Sequence, residues 1–241
     1  ELEMPLAPAW PWIELVIAFE DFLEATRFSH EVALADGIVK KLMSVINWPI
    51  PMNFRDLKPF CPDGKAIVIG MVAEQSLEMF KAILGARGSI TLARPFDESP
   101  SKEPLYEYTW NHTTLQWLKV DRSITYLQCL YPHDRVLESV REIRDLFGDE
   151  CIQHLEFIRF NGRVSCSALP IVRYTTEARL NEIIDLHEKH GVFIANPHVY
   201  TVEDGSRHKK VDVDQHGFKH ETDPLGLLNP GKMRSFVSKQ A

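Results

Sequence analysis

The chain has 241 residues, 44% hydrophobic, 25% charged and 10% aromatic, with 12 Gly and 15 Pro; these values exclude disordered, collagenous and low-complexity classes. Lys+Arg 27 against Asp+Glu 34 leaves a net charge of −7, interspersed rather than blocked, which argues against nucleic acid or an anionic membrane surface as the main partner. No apolar run approaches the ~20 residues of a membrane span, so a soluble chain is expected, with a core that needs no metal or disulfide staple.

Trp12 to Phe19 (WIELVIAF) reads as a strand, and Glu20 to Ala35 carries Phe22, Leu23, Ala25, Phe28, Val32 and Ala33 at helical spacing before Gly37 stops it. Val39 to Trp48 is the next strand, and Pro49 to Asp63 is a proline-rich loop. Lys65 to Ala73 is a strand, Ser76 a plausible cap for a helix over Leu77 to Leu84, and Ser89 to Ala93 a further strand. The order is βαββαβ.

From Ser123 the order recurs. Ser123 to Leu130 predicts a strand, Arg135 to Phe147 an amphipathic helix closed by Gly148, and Cys151 to Phe160 an alternating strand. Asn161-Gly162 is the dipeptide favoured in two-residue hairpin turns, with Arg163 to Val172 as the partner strand. Thr175 or Thr176 caps a helix over Glu177 to His190, and Val192 to Ala195 is the last strand. Two βαββαβ units in tandem predict an α+β fold: ferredoxin-like repeats forming a large antiparallel sheet with helices on one face. The halves are residues 12–94 and 123–202 of one cap-sized domain, joined by a polar, aromatic crossover over 95–122. The remainder, 203–241, is expected to be an irregular tail, too long for an ordinary connection.

Cys61, Cys129, Cys151 and Cys166 form no CxxC pair, so they read as reduced structural thiols in a reducing compartment. His187-Glu188-Lys189-His190 has the wrong spacing for a zinc protease and reads as a solvated helix end. Asp212, Asp214, His216 and His220 either form a polar loop or gather a divalent ion; a polar loop with no metal is the expectation.

The ending Asp223-Pro224-Leu225-Gly226-Leu227-Leu228-Asn229-Pro230-Gly231-Lys232 resembles the C-terminal segment of FAD-linked oxidases of the vanillyl-alcohol oxidase type. The doubled body is similar to the substrate, or cap, domain of that family. Trp110-Asn111-His112-Thr113-Thr114-Leu115 and Asn196-Pro197-His198-Val199-Tyr200 also resemble segments of plant and cyanobacterial members. The resemblance implies a cap that closes over the flavin ring of an FAD-dependent oxidoreductase acting on a small alcohol or hydroxy acid. FAD would be held in the full-length protein by an N-terminal domain of the same chain or by a separate flavin-binding chain, and would be absent from this fragment. Nothing here reads as a Gly-rich diphosphate cradle, and the chain starts at Glu1 rather than Met, as a processed or truncated chain would. The cytoplasm or a plastid stroma is the expected location.

Under this resemblance Asn229, Pro230, Gly231 and Lys232 are the candidate cofactor contacts, the alternative being a plain chain reversal. His112 and His198 are candidate catalytic bases, since His accepts protons near neutral pH. Trp110, Asn111, Asn196, Tyr200 and Arg173 are candidate substrate contacts, Arg because its fork suits a carboxylate. The alternatives are a packed Trp110, a turn-capping His112, a hydrogen-bonded His198 and, for Arg159, Arg163 and Arg173, ordinary surface charge. A different class of function also fits: a flavin-free binding or scaffold module of a larger assembly.

Overall fold

The computed structural model describes residues 11–96, 103–204 and 211–236. The chain divides after Phe193 into two units. In the first, β1 (Trp12–Phe19) leads to α1 (Phe22–Leu34), β2 (Lys40–Ile46), β3 (Ala66–Ala73), α2 (Leu77–Leu84) and β4 (Ser89–Pro95). All eight residues of β3 are buried, as they must be in a central strand covered on both faces, and each buried Ile or Val contributes about 1.5–3 kcal/mol. Asp21 caps α1 by accepting the Glu24 N–H at 2.8 Å, and Phe28 on its inner face meets the rings of Phe19 and Phe80 at 5.4 and 5.3 Å. Ser76 does not cap α2. Its hydroxyl instead accepts the Val39 N–H at 2.9 Å and ties down the entry to β2.

The crossover is more ordered than its composition suggested, because it contains a 3-10 turn at Leu105–Tyr108 and then α3 (Asn111–Leu118). The second half follows as β5 (Ile124–Tyr126), β6 (Gln128–Tyr131), α4 (Val136–Phe147), β7 (Cys151–Ile152), β8 (His154–Phe160), β9 (Arg163–Ala168), β10 (Ile171–Arg173), α5 (Glu177–Lys189) and β11 (Phe193–Ala195). The eight-stranded sheet has the order β11-β6-β9-β8-β2-β3-β1-β4. Each set of four has the ferredoxin-like arrangement, and the halves meet where β2 and β8 pair antiparallel.

Three strands expected to be continuous are each broken. Leu127, Gln153 and the Leu169-Pro170 pair interrupt them, and β5, β10 and β7 form a separate three-stranded sheet. At one break Gln153 is fully buried; its carbonyl accepts the Asn47 N–H at 3.1 Å, and its side chain accepts from the Tyr131 hydroxyl at 2.7 Å. Pro170, lacking an N–H, cannot continue the ladder. The hairpin behaves as its sequence predicts, with Asn161 at φ 50° and Gly162 at φ 74°, the left-handed pair such a turn requires.

Helix α1 packs on the sheet and against α4. The opposite face of the first half is also covered: Ile50, Phe54 and Leu57 from the loop, Leu105, Tyr108 and Trp117 from the crossover, and Ile124, Ile152 and Ile171 from the small sheet form one apolar cluster with β1, β2 and β3. Thr176 caps α5, accepting the Arg179 N–H at 3.1 Å. His187 departs from its expected solvated setting. It is fully buried, stacks on Phe147 at 4.9 Å and hydrogen-bonds the Ile183 carbonyl at 2.7 Å, and burial lowers its pKa to about 4.

In the second unit the expected irregular tail contains α6 (Val213–Thr222). Asp212 and Gln215 form a reciprocal capping box at its start. Asp212 is thereby engaged, His216 hydrogen-bonds Ser235 at 2.7 Å and the His220 ring lies 4.7 Å from Phe236. Among the described residues no three potential metal ligands converge. No described helix is long and apolar enough to cross a membrane.

Candidate functional site

Two buried glutamates sit inside largely apolar strands, Glu14 on β1 and Glu156 on β8, each 1% exposed. Burying a carboxylate is costly unless its oxygens are hydrogen-bonded, and each meets that demand by gripping the crossover. Glu14 accepts the Arg94 guanidinium at 2.7 Å on one oxygen and the Leu105 N–H at 2.7 Å on the other. Glu156 Oε1 accepts the Ser44 hydroxyl at 2.9 Å, the Trp110 N–H at 2.8 Å and His154 Nε2 at 2.7 Å. The crossover is therefore clasped at Leu105 and again at Trp110.

The second clasp has the chemistry of a site. His154 is fully buried, Ser44 lies 3.1 Å from its Nε2, and Nδ1 has no hydrogen-bond partner among the described residues. A proton on Nε2 lets the ring donate to the carboxylate. Trp110 takes φ 53° and ψ −142°, a positive-φ conformation that favours glycine and costs other residues roughly 1–3 kcal/mol; the bond from its N–H to Glu156 offsets part of that strain. Its side chain stays 41% exposed and lines, with Glu156, a cavity of about 420 Å³. Sequence reading chose Trp110 but missed Ser44, His154 and Glu156. A charged residue inside an apolar strand was the available signal, present in both WIELVIAF and HLEFIRF.

The other sequence candidates are placed as follows. Asn111 and His112 open α3, and His112 Nδ1 pairs with Glu107 at 2.8 Å, both side chains partly exposed. Arg173 donates to the Asp149 carbonyl at 3.1 Å and lies over the Trp117 ring at 5.4 Å. Arg163 donates to His133 at 2.8 Å. In the second unit, Asn196 accepts the His198 N–H at 2.9 Å, and Tyr200 meets the C-terminal turn. The Lys232 ammonium sits 4.0 Å from the Tyr200 ring centroid, a cation–π distance. A side chain at Gly231, whose φ is 75°, would press to 2.9 Å from the Tyr200 hydroxyl. Asn229 is left-handed at φ 49° and Pro230 follows it. The structure thus brings Tyr200, Gly231 and Lys232 together.

No protein-family model matches the sequence, and no curated protein matches it. Solved structures that align with the chain include alkyldihydroxyacetonephosphate synthase in two crystal forms. The P1 form aligns with a TM-score of 0.53 at 11% identity, covering 92% of this chain and 44% of that one. The P212121 form aligns at 0.45 and 8% identity, covering 75% of this chain and 39% of the other. The chain spans less than half the length of these structures, and what it shares with the P1 form is the fold.

Proposed function

We propose that this chain is the C-terminal substrate, or cap, domain of an FAD-dependent oxidoreductase that oxidises a small alcohol or hydroxy acid. One observation carries the reading: a tandem ferredoxin-like sheet, alike in fold to part of alkyldihydroxyacetonephosphate synthase, ends in DPLGLLNPGK, a string resembling that of FAD-linked oxidases.

The residues fit one end of the cofactor. The Asn229 amide and the Lys232 ammonium lie on a turn stiffened by Pro230 and seated on Tyr200, a donor set suited to flavin ring oxygens. The described residues present no Gly-rich strand-to-helix turn for the diphosphate, so a partner domain or chain supplies that part of the site. Bound flavin supplies the hydride acceptor. This chain supplies orientation and a base. Glu107 engages His112 at Nδ1, leaving Nε2 as the nitrogen to take the substrate hydroxyl proton, with His198 as the second candidate base. The proposed substrate contacts are Trp110, Asn111 and Arg173 in the first unit and Asn196 and Tyr200 in the second. All four cysteines are free and buried, and burial pushes the Cys61 and Cys151 thiols up to about 12; inert thiols of this kind suit the cytoplasm or a plastid stroma.

The test is the visible spectrum of the protein expressed from its whole gene. Flavin bands that substrate bleaches without oxygen are expected; a native preparation without flavin overturns the reading. In that protein His112→Asn or His198→Asn should retain flavin and lose roughly 10²–10⁴-fold in turnover if the histidine is the base. Turnover unchanged in both removes them from the mechanism.

A further inference from the structure

The half-sheets pair over only three residues, Ser44–Ile46 against His154–Glu156. Beyond Ser44 and Glu156 they part, and the gap is the cavity of about 420 Å³. Leu42 and Met43 form one wall, Phe157 and Ile158 the other, with Val164 behind. The inner end holds Glu156, whose Oε1 is fully engaged while Oε2 takes no hydrogen bond from the described residues. At the outer end stand Lys40 and Arg159, with Asp36 as their counter-charge, 3.3 Å from Arg159. Burial and the neighbouring Arg159 hold Lys40 below the ordinary lysine range, and its ammonium donates to the Ala35 carbonyl at 2.6 Å, which keeps two of its three donor positions for a ligand.

From these groups we infer that the seam cleft binds an extended organic acid, its carboxylate between Lys40 and Arg159, its apolar body on the walls and a hydroxyl donating to Glu156. The spacing sets the length of this ligand. Glu156 and Arg159 are three residues apart on β8, about 10 Å at strand rise and on opposite faces of the strand, so the ligand passes through the gap between the half-sheets, and a 2-hydroxy acid, with both groups on neighbouring carbons, cannot reach both ends. Ligands of this kind combine a polar anchor at each end with apolar contact between them. The binding is an equilibrium property of this chain and does not depend on flavin.

Calorimetric titration of the full 241-residue chain tests it, with 4-hydroxycinnamate as the probe because its hydroxyl and carboxylate stand at opposite ends of a rigid body. Cinnamate lacks the hydroxyl, 4-vinylphenol lacks the carboxylate, and lactate carries both on neighbouring carbons. Binding of 4-hydroxycinnamate is expected, at least tenfold weaker for cinnamate and for 4-vinylphenol, with none for lactate. Arg159→Gln, on an exposed side chain, should weaken 4-hydroxycinnamate about tenfold and leave 4-vinylphenol unchanged; Val164→Trp should fill the cleft and abolish binding of both. The inference is overturned if 4-hydroxycinnamate does not bind, if lactate binds as well as it does, or if Arg159→Gln leaves its affinity unchanged.

Discussion

In the first half of the sheet, the buried carboxylate of Glu14 reaches the guanidinium of Arg94, a planar fork that only donates. In the second half, Glu156 reaches an imidazole, a hydroxyl and a strained backbone N–H. Both glutamates hold the same crossover, at Leu105 and at Trp110. A fixed ion pair and a polar network can thus do one structural job. They differ in what each leaves open: Glu14 has both oxygens engaged and packs away from the cleft's lining, whereas Glu156 lines a cavity.

The largest effect should come from breaking the network. Glu156→Ala leaves the Trp110 N–H without its acceptor, leaves Ser44 and His154 to each other at 3.1 Å, and opens a void in the core, so a loss of about 3–5 kcal/mol is expected. Urea unfolding reads it as a lower midpoint at unchanged slope; a loss below about 1 kcal/mol would mean that the crossover is held by its apolar contacts alone.

Next comes acid sensitivity, which belongs to the second half. His187 titrates near 4 in the folded chain against 6.5 unfolded, so the unfolded chain binds the proton first as pH falls. The stabilisation is complete above 6.5 and is lost between 6.5 and 4, about 3 kcal/mol in all. His187→Gln should flatten urea midpoints measured across that window, and an unaltered pH slope would locate the acid sensitivity elsewhere.

A smaller change is expected from Glu14→Gln. The amide oxygen still accepts the Leu105 N–H, and Arg94, with 22% of its side chain exposed, keeps the Glu103 carbonyl. About 1–2 kcal/mol should be lost. A loss as large as that of Glu156→Ala would erase the distinction between the two clasps.

The smallest effect inverts an ordinary ranking. Glycine is usually worse than alanine in ordered structure, yet at φ 53° Trp110→Gly should be more stable than Trp110→Ala by about 1 kcal/mol. Alanine equal to or better than glycine in thermal melts would mean that the positive-φ backbone at Trp110 relaxes.

Much of this fold could be read before the structure. Asn161-Gly162 declared its turn, because few other dipeptides accept two positive φ angles. The strands of both halves fell near their expected positions, since apolar runs of seven or eight residues have little else to become. The breaks at Leu127 and Gln153 were hidden, because SITYLQCL and CIQHLEFIRF run on without a turn residue; only Pro170 announced its interruption. The strand pattern alone gave Glu156 no partner. Its burial is imposed by Trp110, 46 residues earlier in the chain, a contact that no local pattern encodes. The sequence-chosen residues of the C-terminal turn do meet, with Tyr200 against Gly231 and Lys232, whereas the Ser44–His154–Glu156 cluster draws on strands from both halves and carries no short motif.

The three-residue junction of β2 with β8 has a mechanical consequence. Each half owns a complete four-stranded sheet, so the two are coupled by a few ladder bonds, by α1 packed against α4 and β8, and by the crossover pinned across them. The angle at which the halves diverge can then be adjusted by substitutions along Lys40–Met43 or Phe157–Arg159 without unpicking either set of four. Such a joint lets the width of the opening drift in evolution while the rest of the domain stays fixed, with Glu156 as its fulcrum.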